Sequence, residues 1–430
     1  MDFLRPILDL IMKDIVGQPA LLVGLIAVVG LTLQKKSFAT ILAGGVKTTV
    51  GYLMIVGGAG MVVGVLLNAL SPLIQAAFGL TAPAAEAGGI GYSAFLQQWG
   101  GYATLAVALG FVVNLLLARF TRFKYIYLTG HLMIFLAENI FIAFLAGWPT
   151  ISPGTLIVIT GVLCGIYWTL QPAYMQKLMK GVTGTDDLAY GHTSSFNCWL
   201  AAKLGKYVGS PEESSEDIEL PESLEFFKDT TVSLGFVLGL VTVVVALIAG
   251  SAVGAELSGG TNYIIWALVQ GLTFGAGISV MLYGVRMIIG ELVPAFRGIA
   301  KSLVPGAKPA LDCPIVFPYA PTAVLLGFVG AFAAFLVWMF AFGAIGWGVI
   351  IPPMIMLFFP GGAGGVFGNS TGGWKGAILG GVICGTLLAF GQLFVGRVLF
   401  PSVPFYAMEA DPDVHIMDWV LAQIAGLVGG

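Results

Sequence analysis

The chain has 430 residues, of which 58% are hydrophobic and only 10% charged, with a mean hydropathy of +0.95. A water-soluble protein needs charge at roughly a quarter of its positions, so a soluble fold is excluded and apolar side chains must face lipid. A net charge of −3 provides no drive toward nucleic acid or an anionic membrane surface.

Arg5 and Lys13 precede a long apolar segment that lacks a small-residue cleavage site, so no removable signal peptide is predicted. A bilayer core about 30 Å thick requires about 17–25 mostly apolar residues per crossing. Segments 18–34, 49–72, 101–118, 126–147 and 154–173 meet that requirement, and so do 232–252, 262–289, 321–345, 346–370 and 376–400 after a polar interval. The predicted class is an all-α polytopic membrane protein with about ten transmembrane helices. The last two segments contain Pro352-Pro353, Pro360-Gly361-Gly362 and Gly372-Gly373, which read as broken or re-entrant pieces. Cys164, Cys198, Cys313 and Cys384 lie far apart with no CxxC pair, which argues against a disulfide framework or a zinc site.

Lysine and arginine follow the first, third and fifth segments, as Lys35, Lys36 and Lys47, then Arg119, Arg122 and Lys124, then Lys177, Lys180, Lys203, Lys206 and Lys228. Loops 73–100, 148–153 and 253–261 have none. This alternation places the N-terminus outside, residues 174–231 in the cytoplasm, and Arg286, Arg297, Lys301 and Lys308 on the cytoplasmic side again. With about ten crossings, both ends are expected outside.

Four regions result: a first membrane repeat (1–173), a cytoplasmic connector (174–231), a second membrane repeat (232–400) and a C-terminal tail (401–430). An odd number of crossings in each half would run the halves in opposite directions, the arrangement of inverted-repeat transporters whose site forms where the halves meet. The acidic stretch from Pro211 to Glu219 reads as a solvated connector, or as a docking surface for a soluble partner. Glu291 to Lys301 looks amphipathic, as an interfacial segment would.

Polar residues at membrane depth are costly and therefore informative. Asp312 is surrounded by Pro305, Pro309, Pro314 and Pro318, which exclude a regular helix. Irregular backbone at that depth is tolerated where it lines a cavity; the alternative is an ordinary cytoplasmic loop. His131, just inside the fourth segment, offers one donor and one acceptor to a polyol or enediol, or acts as a structural hydrogen-bonder. His192 lies among small polar residues, and Glu138 and Asn139 are further candidates to line a path or pair with neighbouring helices. There is no phosphate-binding loop, GxSxG, HExxH or haem-attachment motif.

The runs Gly284 to Leu292, Ala295 to Ile299, Val304 to Ala307, Leu311-Asp312-Cys313 and Tyr319 to Val324 occur in order with Lys47 to Tyr52, Thr129 to Met133, Gly191-His192, Gly365 to Asn369 and Gly372-Gly373-Trp374. Together this collinear set, spread over residues 20–380, resembles the ascorbate-specific EIIC subunit family of the bacterial phosphotransferase system, in the ascorbate/galactitol superfamily. The resemblance implies a homodimer in the inner membrane. Each protomer would have a scaffold domain and a core domain built as inverted repeats, the core moving like an elevator. A soluble EIIB subunit, charged by EIIA, would phosphorylate the substrate from its own cysteine, so no cofactor and no phosphoryl-carrying residue is expected here. It also implies that His131, His192 and Asp312 occupy substrate-site positions, with Phe135, Thr193, Gly58 and Ala59 completing the binding set. Glu138, Asn139, Pro321, Thr322 and Asn369 would line the path.

The chain departs from that pattern where ascorbate-taking members carry glutamine four residues after the first histidine and directly after the second; here Phe135 and Thr193 stand there, and Glu86-Ala87 replaces a Thr-Tyr pair. Lost hydrogen-bonding partners change which polar ligand a site accepts. The readings are therefore a phosphotransferase carrier for L-ascorbate or a related sugar or polyol, or a carrier of the same fold that is ion-coupled or facilitative, with Asp312 and Glu138 as ion groups. A redox or metal subunit using His131 and His192 is the third.

Overall fold

The computed structural model describes residues 19–80, 92–218, 230–348, 350–395 and 410–429. Its helices are α1 (Pro19–Leu33), α2 (Phe38–Val65), which continues through a π turn into α3 (Ser71–Phe78), and α4 (Tyr92–Phe120). They continue with α5 (Gly130–Gly147), α6 (Pro153–Thr183), α7 (Ser195–Gly205), α8 (Thr230–Ala249) and α9 (Ser251–Ser258). The last four are α10 (Tyr263–Ser302), α11 (Pro321–Ala344), α12 (Met354–Phe390) and α13 (Pro412–Gly429). The all-α expectation holds apart from three short strands, β1 (Tyr125–Tyr127), β2 (Ala189–Tyr190) and β3 (Lys308–Leu311).

Among the described residues, seven helices are long and apolar enough to cross a bilayer, with shorter apolar helices at Val23–Leu33 and Leu234–Ala249. Local signals set their ends. Ser152 caps α6, accepting from Thr155 N–H at 3.2 Å, Pro153 opens its first turn, and Gly184 closes it at φ +71°. Within the expected segments 346–370 and 376–400, residues 354–370 and 376–390 form the two arms of α12, which breaks at Gly372 and Gly373, where φ is +59° at Gly373, and residues 396–400 lie outside the described residues. The arms fold back so closely that a Cβ on Gly368 would stand 2.0 Å from Gly376 O, and one on Gly364 2.9 Å from Gly380 O. Glycine there lets two backbones approach as no other residue permits.

Glu291 to Lys301 forms the end of the 40-residue α10, where Ala295 and Gly298 lie against the backbone of α1 at Gly30. The acidic stretch is exposed at Glu212 and Glu216, yet it is tied to helix ends. Glu216 accepts from Thr322 N–H at 3.2 Å and Ala323 N–H at 3.0 Å, satisfying the orphan donors of α11, and Trp374 N–H donates to Glu213 O at 2.9 Å at the tip of α12. The rest of that stretch, from Glu219, lies outside the described residues.

Buried apolar side chains form a larger cluster, mainly from α1, α2, α8, α10, α11 and α12, and a smaller one from α4, α5, α6 and α13. Apolar side chains such as Leu105, Leu247 and Val337 stay exposed on outer faces, as lipid-facing positions do. The three strands form one parallel sheet in the order β1-β3-β2, with Tyr127 beside Ala310 and Tyr190 beside Leu311. Lys308 N–H and Ala310 O carry the ladder to β1, so Pro309 turns its nitrogen toward the side where β2 is only two residues long.

An open sheet edge away from water leaves backbone groups unpaired, and side-chain amides close both edges here. Asn114 of α4 mimics a neighbouring strand, donating to Tyr125 O at 3.1 Å and accepting from Tyr127 N–H at 3.1 Å. On the other edge Gln171 and Gln176 of α6 donate to Tyr190 O and Leu188 O at 3.1 and 3.0 Å.

Candidate functional site

Parallel strands that all end on one side present their following residues to one place, and a ligand crevice commonly forms at those carboxyl ends. Here β3 is followed at once by Asp312, β2 after one residue by His192, and β1 after three by His131 at the second position of α5. All three line one cavity of about 650 Å³, walled by α2, α5, α12 and α13. The prolines around Asp312 produce the irregular backbone expected from sequence, with β3 before it and a 3-10 turn (Cys313–Tyr319) after it.

The geometry is that of charged and polar groups held just out of contact. His131 Nε2 stands 3.6 Å from Asp312 Oδ2, and His192 Nε2 stands 3.5 Å from Asp312 Oδ1. Both separations exceed the about 2.7–3.2 Å of a closed hydrogen bond, so the imidazoles and the carboxylate keep bonding capacity for a ligand hydroxyl placed beside them. Asp312 is oriented by Cys313 N–H, which donates to Oδ1 at 2.7 Å, and its side chain remains 30% exposed to the cavity. Ser194 N–H donates to His192 Nδ1 at 3.1 Å, which leaves that nitrogen unprotonated and places the ring proton on Nε2, toward Asp312. Thr129 Oγ1 donates to Gly191 O at 2.6 Å and fixes the two histidine-bearing turns to each other.

Of the residues singled out from sequence, Phe135, Thr193, Ala59 and Asn139 line the cavity with the central three. Asn139 Nδ2 donates to Phe135 O at 2.8 Å, while its buried Oδ1 has no partner. Gly58, Glu138, Pro321, Thr322 and Asn369 are not among the residues described as lining it. A Cβ on Gly58 would stand 2.4 Å from Gly277 O, so this glycine serves the contact of α2 with α10. Glu138 is buried within α5. Pro321 and Thr322 begin α11 over Glu216, and Asn369 accepts from Ser215 N–H at 2.9 Å near the tip of α12. Glu86 and Ala87 lie outside the described residues.

Sequence reasoning missed Asp411. The segment expected as a tail contains α13, which packs along α5 and brings Ala410, Asp411 and Val414 into the cavity wall. Asp411 is buried and accepts a hydrogen bond from Thr193 Oγ1, and its Oδ2 stands 3.7 Å from His192 Nδ1. Since Nδ1 is already an acceptor, that approach is not a hydrogen bond. Asp413 accepts from Ser195 Oγ and Phe196 N–H, both at 2.8 Å, and so seats the start of α7. The signal was present: Asp411-Pro412-Asp413 before an apolar run has the cap, first-turn proline and early acid of a helix start.

His192, Asp312 and Cys313 also bring ligand-type atoms within 4.8 Å of one another, a spacing that a cation could draw together. At the opposite end of the sheet, outside the spans, Lys308 Nζ pairs with Asp186 at 2.7 Å, and this bond holds the Asp186 carboxyl below its usual range. Arg297 pairs with Asp187 at 2.9 Å beside it.

Comparison with known proteins agrees with this geometry. A relative from Mycoplasma pneumoniae, named ascorbate-specific PTS system EIIC component, is 28% identical over 427 residues. The alignment takes in 86% of this chain and 63% of the relative, so the chain spans about 63% of that protein's length. The family model of the PTS system sugar-specific permease component, EIIC-GAT, matches residues 14–413. That match takes in the apolar helices up to α12 together with the three strand ends that carry His131, His192 and Asp312, and the chain belongs to this family of sugar-specific permease components.

Proposed function

We propose that the protein is the membrane-embedded, substrate-translocating EIIC subunit of a phosphotransferase system, carrying L-ascorbate or a related sugar or polyol inward. The observation that carries this reading is the convergence of His131, His192 and Asp312 from three strand ends onto one cavity, with gaps of 3.5 and 3.6 Å. Ligand hydroxyls on the cavity side of these groups can accept from an imidazole N–H and donate to the carboxylate, a pairing that suits a polyhydroxylated ligand. Phe135 supplies an apolar face for a sugar ring, and Thr193 holds Asp411 in place.

The phosphoryl group comes from the cysteine of a separate EIIB subunit, itself charged by EIIA, so this subunit binds and carries. It works as a homodimer in the bacterial inner membrane, with its N-terminus outside and the acidic stretch of the 174–231 connector cytoplasmic, while His192 and Thr193 of that connector return to the cavity. Its two membrane repeats, 1–173 and 232–400, run in opposite directions and contribute to a core that moves against a scaffold. The position of the cavity between the two apolar clusters supports that division, since α2 faces α5 and α13 across it.

The test is binding calorimetry on detergent-purified protein with L-ascorbate, pentoses, pentitols and hexitols, followed by uptake into vesicles supplied with EIIB and phosphoryl donor. Saturable binding by one of these ligands that is lost in Asp312→Asn is the expected result. A binding curve indifferent to Asp312 would overturn the site, and uptake that ignores EIIB would overturn the coupling.

A further inference from the structure

Two carboxylates flank one imidazole in this cavity. Asp312 faces Nε2 of His192 at 3.5 Å and Asp411 faces Nδ1 at 3.7 Å. With Ser194 N–H donating to Nδ1, His192 can donate only from Nε2, toward Asp312, and makes no hydrogen bond to Asp411. Among the described residues lining the cavity there is no lysine or arginine. The groups that add positive character are His131, half-exposed at the mouth, and the N-terminus of α5, where Thr129 makes no side-chain cap. A helix N-terminus is worth about half a unit charge, against two carboxylates.

We infer that Asp411 is a specificity-determining residue of this cavity: together with Asp312 it makes the site select neutral polyhydroxylated ligands over anionic ones of the same shape. The inference rests on the carrier reading above and narrows its substrate class. L-Ascorbate is a monoanion at neutral pH because its enediol is acidic, so it brings a negative charge beside two carboxylates. At a separation of about 7 Å and an effective dielectric of about 20, one added like charge costs on the order of tenfold or more in affinity. A pentitol, a pentose or a saturated lactone avoids that cost and donates hydroxyl protons to both carboxylates. Thr193, where ascorbate-taking members have glutamine, fits the same logic. Its hydroxyl is spent on Asp411 and holds that carboxylate against the cavity.

The test compares L-ascorbate with L-gulono-1,4-lactone, a neutral saturated lactone of the same carbon skeleton, by calorimetry on the full chain in detergent at pH 8, where imidazole is ordinarily neutral. The wild type is expected to bind the lactone about tenfold or more tightly than ascorbate. Asp411→Asn, whose amide oxygen still accepts from Thr193, is expected to close that gap at least fivefold, because ascorbate is relieved of a neighbouring carboxylate while the lactone loses a charge-strengthened hydrogen bond. Ascorbate binding as tightly as the lactone in the wild type overturns the inference while leaving the carrier reading intact, and that comparison needs no variant to fold. An unchanged preference in folded Asp411→Asn overturns the assignment to this residue. If neither these ligands nor any pentose or polyol binds, the carrier reading itself fails.

Discussion

Asp312 Oδ1 accepts from a backbone N–H at 2.7 Å, and the carboxylate faces two imidazoles at 3.5 and 3.6 Å, beyond hydrogen-bond length, so it stays open to a ligand hydroxyl on the cavity side. Asp312→Asn keeps the shape but loses the charge that strengthens each ligand hydrogen bond, a difference of about 1.5–3 kcal/mol, or roughly 10- to 100-fold in affinity. Calorimetry should show that loss with an unchanged melting temperature; a fall in melting temperature of the same size would make Asp312 structural instead. Asn114 gives the opposite pattern. Its amide replaces a missing strand at membrane depth, so Asn114→Leu strands Tyr125 O and Tyr127 N–H and should cost about 1–3 kcal/mol of stability. Tryptophan-monitored melting in detergent checks this. His131 and Asp312 were legible in sequence as costly polar residues in or beside apolar segments, whereas His192, in a segment read as cytoplasmic, was singled out only by the distinctive motifs of the family resemblance. Asn114, Gln171 and Gln176 were not, since nothing in an apolar run says that an amide will close the edge of a sheet built from strands of two to four residues.

The helical hairpin α12 depends on glycine at the scale of an element. Gly368→Val places its Cβ 2.0 Å from the backbone oxygen of Gly376, where no flexible side chain can yield. Overpacking of this kind costs about 1–3 kcal/mol or more, and the variant should elute as aggregate in detergent chromatography. Gly290→Ala on α10 is the control: no atom lies within 4 Å of its added Cβ, and the exchange should be neutral or stabilising by up to about 1 kcal/mol. Equal damage from both would remove close backbone contact as the cause. A second element-scale device lies at the foot of β3, where Asp186 holds Lys308 at 2.7 Å. The folded carboxyl is depressed below 3.8, so this contribution is complete above that value and is lost as pH falls through the folded pKa. Melting temperature should therefore drop less steeply below about pH 4 in Asp186→Asn than in the wild type. The sequence located both arms of α12 but not their hairpin, because hydropathy reports burial in lipid, while the turn depends on backbone angles at Gly372 and Gly373.

At the scale of the whole molecule, the sequence yielded the class and most of the apolar helices, because composition and hydropathy act residue by residue. It could not yield the parallel sheet or the return of α13 to the cavity. Both depend on contacts between segments as far apart as 218 residues, such as the bond from Thr193 to Asp411. The cavity between the two apolar clusters makes a statement about transport that can be tested. If a core carries the ligand past a scaffold, a residue on α2 and one on α5 must be reachable from one side of the membrane at a time. Ala59→Cys and Phe135→Cys, both lining the cavity, provide those reporters, and the four native cysteines are buried and contribute little background labelling. In sealed vesicles of known orientation, a membrane-impermeant maleimide should label each reporter from one face only in the absence of ligand. A saturating ligand should shift that labelling, with the change in rate following the binding isotherm. Labelling from both faces at once would mean a continuous pore, and labelling indifferent to ligand would separate this cavity from the translocation path; either result removes the elevator reading while leaving the family assignment untouched.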